Sequence, residues 1–440
     1  MRQTDIAIIG GGLAGSIAAT MLGRAGISAI LIEPNQLFPL DFRCEKLAGG
    51  PQLDRLRRTG LADVVLPATT YDGGLWIARF GRLIEKRPGH QYGIRYDTLV
   101  NTVRAAIPPA VETIHARATA LETGAGRQTV TLADGEQISA RLIVLATGPA
   151  TSALAHQLGI TRRMVSKFHS VSIGFDMAPV GRDAFAFPAL TYFAEDTVHR
   201  TAYLTMFPIG DTMRANLFVY REAQDPWLTQ FRRAPEATMD ACLPRLRRLI
   251  GDYTIAGEVR IRPGDLYDSE GHRQAGVVLV GDAFMAPCPC TGTGTDKVFT
   301  DVERLCNVHI PAWLRTPGMD ADKIAAFYDD PDKVACDAWS RSEAYRIRAM
   351  TTDDGPYWRM QRWIRFLGRL ALGFARDATA ALGFHDVADA PVHPPQGDEH
   401  ARDILKALGF HHDMEARPKA EGSERQRAAA RAPADNASAE

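Results

Sequence analysis

Asp5-Ile6-Ala7-Ile8-Ile9-Gly10-Gly11-Gly12-Leu13-Ala14-Gly15, followed by Ala29-Ile30-Leu31-Ile32-Glu33, is the stretch whose reading decides the fold. A short apolar run ends in glycines. Leu13, Ile17, Ala18, Met21 and Leu22 then recur at spacings of three and four, the pattern of a helix buried on one side. Gly26 stops that helix, and 29–32 reads as a second strand closed by Glu33. Gly10 permits the tight turn out of the strand. Gly12 lacks a Cβ, so backbone can approach a pyrophosphate, and Gly15 lets the helix pack closely on the sheet. The helix start offers free N–H groups to phosphate oxygens. Glu33 stands near the spacing at which an acid meets a ribose hydroxyl. Leu13 and Ala14 complete the turn. An ordinary strand–helix–strand turn is the competing reading, and the motif alone does not separate FAD from NAD.

The rest of the composition narrows the class. The chain has 440 residues, enough for two domains or for one large domain with an inserted sheet. With 51 basic and 52 acidic residues its formal net charge is -1, which argues against a nucleic-acid partner. No run of about 18 apolar residues marks a membrane span. The chain enters its first strand within a few residues, leaving no room for a signal peptide. Its six cysteines are too few for a disulfide scaffold, and no Cys/His spacing suggests a metal site. A reducing cytoplasm is the expected location.

Beyond Glu33, Asp41-Phe42-Arg43-Cys44-Glu45-Lys46-Leu47 precedes a helix expected over 52–61. Arg43 reads equally as a phosphate or ribose contact and as a solvated arginine. Residues 71–94 read as a hairpin, and Gly93-Ile94-Arg95-Tyr96 opens a helix. Hairpin strands are expected at 116–122 and 127–132. Ala140-Arg141-Leu142-Ile143-Val144-Leu145-Ala146-Thr147-Gly148 reads as a parallel strand buried on both faces. From 168 to 262 the period changes to two, with paired segments at 201–209 and 213–220, so an antiparallel sheet is expected. Residues 222–250 read as mostly helical.

Ala275-Gly276-Val277-Val278-Leu279-Val280-Gly281-Asp282 then repeats the strand-into-glycine pattern. It runs on through Pro287-Cys288-Pro289-Cys290-Thr291-Gly292-Thr293-Gly294-Thr295-Asp296 into a helix. Asp282 stands where a ribityl hydroxyl would need an acceptor, and the glycine turn offers amides at a second helix start. The competing reading is a proline-rich loop of no special role. Residues 311–385 read as helical, broken at Pro331 and Gly355-Pro356. Around Trp363 aromatics mix with arginines. Peripheral contact with a membrane is one reading there; the favoured one is a helix packed on the domain with its arginines reaching water. Pro391–Pro395 begins a linker, and the Ala-, Arg- and Glu-rich stretch from Arg417 is expected to be disordered.

Gly10–Gly15, Glu33, Leu142–Gly148 and Val277–Asp296 together resemble the FAD-dependent monooxygenases of the para-hydroxybenzoate hydroxylase fold, with their relatives among geranylgeranyl reductases and flavin-dependent halogenases. The resemblance covers about residues 1–310. It implies an α/β fold: a Rossmann-like FAD-binding domain of the glutathione-reductase type, an inserted antiparallel β-sheet substrate domain, and C-terminal helices. The expected division is 1–70, 93–165 and 265–310 for FAD, 71–92 and 166–264 for substrate, 311–390 helical, and 391–440 linker and tail. It implies that Gly10, Gly12, Leu13, Ala14, Gly15 and Glu33 hold the ADP half of FAD. Gly281, Asp282, Pro289, Gly292, Gly294 and Thr295 would hold the ribityl, pyrophosphate and flavin side, with Asp301 in the same pattern. Arg43 and Arg95 match the two family arginines that point towards FAD, and Thr147-Gly148 closes the second strand at the same edge.

Three departures stand out. Phe284 and Met285 follow Gly281-Asp282-Ala283 where the family often has alanine and histidine. Asp296 replaces an asparagine. The Asp-Gly associated with NADH or NADPH use is here Thr147-Gly148. The tryptophan signature of the halogenases is absent. The chemistry implied by the resemblance is hydroxylation of a hydrophobic or aromatic small molecule through a flavin C4a-hydroperoxide. Electrons would come from NADPH or NADH, or from a separate flavin reductase. Cys288, Cys290 and His169 are the weak catalytic candidates. The alternatives are an FAD-dependent reductase or dehydrogenase of a prenyl or other unsaturated lipid-like substrate, and an FAD-binding protein without catalysis.

Overall fold

The computed structural model describes residues 1–381. The linker and tail expected over 391–440, and the end of the helical region, lie outside the described residues. The first strand, Arg2–Ile9, sits inside a seven-stranded sheet. It pairs in parallel with Ala29–Ile32 on one side and Gln137–Leu145 on the other. Gln137–Leu145 has two partners along its far edge. Its first half pairs antiparallel with Gln128–Leu132, and its second half pairs in parallel with Val277–Leu279. Leu142, Ile143, Val144 and Leu145 are fully buried, as a parallel strand covered on both faces requires. The register sets Ile9 beside Leu145 and Leu145 beside Leu279. Three glycine turns distant in sequence therefore leave one carboxyl edge together, the edge where open α/β sheets bind ligands. Helix Leu13–Arg24 buries Ile17, Ala18 and Leu22 with Leu99 and Val103 of helix Tyr96–Ala105 and with Phe299 and Val302 of helix Gly294–Arg304.

The second sheet has eight strands, in the order Met285–Ala286, Tyr253–Glu270, Thr161–Pro179, Thr212–Val219, Thr201–Ile209, Leu190–Phe193, Gly74–Arg79 and Arg82–Pro88. One join, between Leu190–Phe193 and Gly74–Arg79, is parallel; the others are antiparallel. Helices Pro226–Arg233, Pro235–Cys242 and Leu246–Ile250 cover one face, packing Phe231, Met239 and Leu246 against Phe175 and Leu217. Tyr253–Glu270 is a long strand that the expected antiparallel region, ending at 262, covers only in its first half. In its middle Ile255, Val259 and Ile261 pack on the sheet's core while Glu258, Arg260 and Arg262 are exposed, and main-chain pairing to Thr161–Pro179 adds to the hold.

A small third sheet joins Cys44–Ala48, Gln91–Arg95 and Thr70–Tyr71. The helix expected to open at Gly93 starts instead at Tyr96, because Gly93 and Ile94 pair with Lys46 and Glu45. Gly93 is needed there: a Cβ would lie 2.4 Å from the Pro208 carbonyl oxygen of the larger sheet. Helices Pro331–Thr352 and Pro356–Ala381 break at the proline positions, where a ring replaces an N–H. Among the described residues no helix is long and apolar enough to cross a membrane.

Candidate functional site

The glycine turn divides its tasks by geometry. Gly10 has φ +100°, and a Cβ there would meet the Ala146 carbonyl oxygen at 2.8 Å. A Cβ on Gly15 would lie 1.9 Å from the Gly10 carbonyl oxygen, so the helix can sit this low only with glycine. Gly12 differs. The nearest heavy atom to its Cβ position is 4.0 Å away, leaving open space at the helix start. Glu33 is held beside this turn: its carboxylate accepts from the Gly11 amide at 2.7 Å and from the Asn35 amide at 3.0 Å. Arg104 fastens the same corner. It donates to the Gly11 carbonyl at 2.7 Å and lies 3.5 Å from the Glu33 carboxylate. Nothing in the sequence around Arg104 marks it, since an arginine late in a helix is ordinary.

Arg43 donates to Asp41 and lies over the Tyr96 ring, 3.8 Å from its centroid. Burial pushes the Tyr96 hydroxyl up to about 12, with Asp282 and Glu45 adding to the shift and Arg43 and the Leu13 amide opposing it. Burial pushes the Glu45 carboxyl up to about 7, with Arg43 opposing the shift and Asp282 and Asp41 adding to it. Burial also raises the Asp282 carboxyl, against the pull of Arg43, Lys297 and Arg262. Arg43, Glu45, Tyr96 and Asp282 thus act on one another electrostatically. Arg95 stands apart from them. It is exposed, and its ion pair is with Asp97 at 3.3 Å. Thr147 lies against Gly10, with its Cα 2.8 Å from the Gly10 Cβ position, and Gly148 turns the chain at φ +58°.

On the other limb, the Gly281 amide donates to Asp301 at 2.9 Å. Asp301 also accepts from Lys297 at 2.7 Å and Lys333 at 2.8 Å, and both lysines reach Asp337 at 3.1 and 2.9 Å. The two ammonium groups hold the Asp301 carboxyl below its ordinary range, although burial acts the other way. Phe284 lies against them, with Lys333 Nζ 4.2 Å from its ring centroid. The departure from alanine at this position thus covers a buried charge network. Lys297/Asp301 and Lys333/Asp337 are both i,i+4 pairs, a spacing visible in the sequence. Asp296, at the family's asparagine position, pairs with Arg55 at 2.5 Å. Gln52 donates to Thr295 at 2.6 Å, so helix Pro51–Arg58 braces this helix start. Gly292 is left-handed at φ +68°, and Gly294 begins the helix.

Pro289, Cys290, Thr291 and Gly292 form part of the wall of a cleft of about 530 Å³. Tyr203, Phe207, Phe218 and Phe193 of the eight-stranded sheet and Ile347, Met350 and Phe366 of the C-terminal helices line it too. Cys288 and Cys290 are buried free thiols. A hydrogen bond from the neighbouring Cys290 thiol draws Cys288 down, and burial drives Cys290 well up. Cys288 also contacts the Ser170 hydroxyl at 3.3 Å. His169 lies off the cleft. Its Nε2 bonds the Ala344 carbonyl at 3.2 Å, its Nδ1 faces Ser166 at 3.1 Å, and burial lowers its pKa. It ties the sheet to helix Pro331–Thr352.

The C-terminal helix reverses the expected polarity. Arg362, Arg365 and Arg369 line the cleft. Tyr357, Met360, Trp363, Ile364, Leu367, Leu372 and Phe374 are each more than half exposed. The reason lies in packing. Gly373 lets the helix close onto strand Arg82–Pro88, where a Cβ would be 2.2 Å from the Ile84 carbonyl oxygen, and this contact turns the arginine side inward.

Residues 3–308 match the family described as FAD binding domain. No protein of curated function matches the chain in sequence. Among solved structures, p-nitrophenol 4-monooxygenase from Pseudomonas putida DLL-E4 is 17% identical, with 84% of this chain and 99% of that chain covered and a TM-score of 0.58. A flavin-dependent brominase is 18% identical over 87% and 100% of the two chains, with a TM-score of 0.62. 2-Methyl-3-hydroxypyridine-5-carboxylic acid oxygenase is 18% identical over 80% and 93%, with a TM-score of 0.57. At such identities the likeness is one of fold. The glycine cradle with open space at Gly12, the ribose-spaced acid Glu33 and the second helix start after Gly292 suit the ADP and flavin halves of one dinucleotide. The chain belongs to the family described as FAD binding domain.

Proposed function

We propose that this protein is an FAD-dependent monooxygenase that places one oxygen atom from dioxygen in a hydrophobic or aromatic small molecule and releases the other as water. The observation that carries the reading is the shared cleft: the Pro289–Gly292 loop and the aromatic wall of the eight-stranded sheet face one space of about 530 Å³. In this reading Gly10–Gly15, Glu33 and Arg43 hold the ADP half of FAD. Gly281, Asp282 and the Gly292–Thr295 turn hold the rest. FAD, once bound and reduced, supplies the activation of dioxygen.

The chain's own residues shape and seal the site. Tyr203 donates to the Cys290 carbonyl and so ties the substrate wall to the flavin loop. Phe193, Phe207 and Phe218 give the substrate an apolar bed and exclude water. Electrons come from NADH or NADPH, directly or through a separate flavin reductase. Ala146-Thr147-Gly148, without the family's Asp-Gly, favours the indirect route. Mixing the FAD-loaded protein with NADH or NADPH without oxygen tests this: slow flavin bleaching with every substrate candidate is the expected result. Rapid bleaching would establish direct reduction.

One observation supports a second reading, reduction of a prenyl or other unsaturated lipid chain without oxygen. The exposed apolar side of helix Pro356–Ala381 is of a kind that meets lipid or another protein. Oxygen uptake matched to product supports the monooxygenase; product without uptake supports the reductase.

A further inference from the structure

The C-terminal helices bring more positive charge into the cleft than the surrounding protein answers. Arg346 on helix Pro331–Thr352 lines it, as do Arg362, Arg365 and Arg369 on helix Pro356–Ala381 and Arg79 from the sheet. Asp196 on the cleft wall answers Arg79, Asp354 pairs with Arg362 at 3.5 Å, and Asp296 pairs with Arg55. Glu343 holds Arg346, and Glu85 holds Arg87 and Arg376. Two of the arginines are also engaged. Arg362 donates to the Met350 and Asp353 carbonyls, and Arg79 to those of Ala194 and Glu195.

Three guanidinium groups keep unspent capacity. Arg346 Nη1 is buried with no hydrogen-bond partner. Among the described residues, Arg365 and Arg369 have no carboxylate in an ion pair. Arg369 lies over the Phe193 ring at 4.6 Å, which fixes its position on the cleft wall. Partial burial lowers the pKa of both Arg365 and Arg369; Arg346 adds like charge to each, while Glu343 partly answers Arg365 and Glu85 partly answers Arg369. A guanidinium stays protonated regardless, so a further anion is still drawn to the group. Planar forks with free N–H groups are suited to carboxylate and phosphate oxygens.

We propose that Arg346, Arg365 and Arg369 bind an anionic group, carboxylate or phosphate, on an otherwise apolar substrate. This rests on the reading of the cleft as the substrate site, and it names the class of molecule that enters. The charged end lies on the helix wall, and the apolar body lies among Phe193, Phe218 and Met350.

Two fluorescent probes sharing one apolar frame test it on the FAD-loaded full chain: anilinonaphthalene sulfonate, which is anionic, and N-phenylnaphthylamine, which is neutral. The sulfonate should bind about tenfold more tightly or better, as charge-assisted hydrogen bonds imply. R365Q/R369Q should abolish that preference while flavin content and neutral-probe affinity hold. Arg365→Gln alone, at an exposed position, should show a smaller loss if the double variant does not fold. Displacement of the sulfonate by decanoate or by decyl phosphate assigns the group. Equal affinities, failure of both probes to bind, or a preference that survives the substitutions would overturn the proposal. Binding is read without turnover. A protein that keeps the preference but takes up no oxygen would therefore sink the monooxygenase reading and leave this one standing.

Discussion

Gly12 and Gly15 show how two glycines of one motif serve different partners. Gly15 faces protein, with the Gly10 carbonyl 1.9 Å from its Cβ position. Gly15→Ala must lift the helix from the strand. We expect a loss of about 1–3 kcal/mol in apoprotein stability, read by chemical denaturation, together with weak flavin retention. Gly12 faces open space at the helix start. Gly12→Ala should leave apoprotein stability within about 1 kcal/mol, because Gly12 caps the helix in an extended conformation that alanine also adopts and the added methyl meets no atom closer than 4.0 Å. Its FAD affinity should nevertheless fall by about tenfold or more, because the new methyl group fills the space a phosphate needs. An unchanged affinity would remove Gly12 from the site. Arg104 belongs to the same corner. Arg104→Ala removes the ion pair to Glu33 and leaves the Gly11 carbonyl without its side-chain donor, and should weaken FAD by about 1.5–3 kcal/mol in a fluorescence titration.

Helix Gly294–Arg304 carries an acceptor for the Gly281 amide inside a buried charge network. Asp301→Asn removes one of two carboxylates answering Lys297 and Lys333, which are almost fully buried. The expected cost is about 3–5 kcal/mol by denaturant titration, with FAD release as the glycine turn loosens. A cost under about 1 kcal/mol would mean that the network relaxes or hydrates. At this scale the sequence was most legible where period and glycine coincide. The strands at 5–9 and 142–145, the first helix and the helix after Gly294 follow directly from such patterns. Tyr253–Glu270 was legible only in part: Ile255, Val259 and Ile261 alternate with Glu258, Arg260 and Arg262 and pack on the sheet's core, but Pro263-Gly264 interrupts the pattern before the buried end. The inward arginines of Pro356–Ala381 were not legible. A one-sided helix pattern does not say which side meets protein, and here Gly373 and strand Arg82–Pro88 decide it.

Across the whole molecule, one sheet and its glycine turns gather the residues proposed to hold FAD, and the other sheet adds an aromatic wall to the cleft beside the Pro289–Gly292 loop. The site therefore draws on Gly10, Asp282 and Tyr203, which no local pattern connects. Gly10 and Asp282 stand in motifs that mark them in the sequence, whereas the contacts of Tyr203, Gln52 and Arg55 exist only in three dimensions. The assembly also buries acids at some expense to stability. Glu45 has an ordinary value of 4.5 and is pushed up to about 7. A raised acid favours the fold while protonated, so its contribution is lost as pH rises from 4.5 through about 7. Glu45→Gln should therefore raise the apoprotein melting temperature at roughly pH 8 and give no gain near pH 4, a contrast read by melting at both. Asp301, whose carboxyl is lowered, has the opposite sign: its contribution is present above its ordinary 3.8 and lost as pH falls below it. The central claim, oxygen transfer on bound FAD, is tested most directly with isotopically heavy dioxygen. FAD-loaded, chemically reduced protein is mixed with a panel of apolar carboxylates and phosphates, and product mass is read. The account predicts one heavy oxygen atom in the product and no product without dioxygen. Product formed equally well under anaerobic conditions would contradict it.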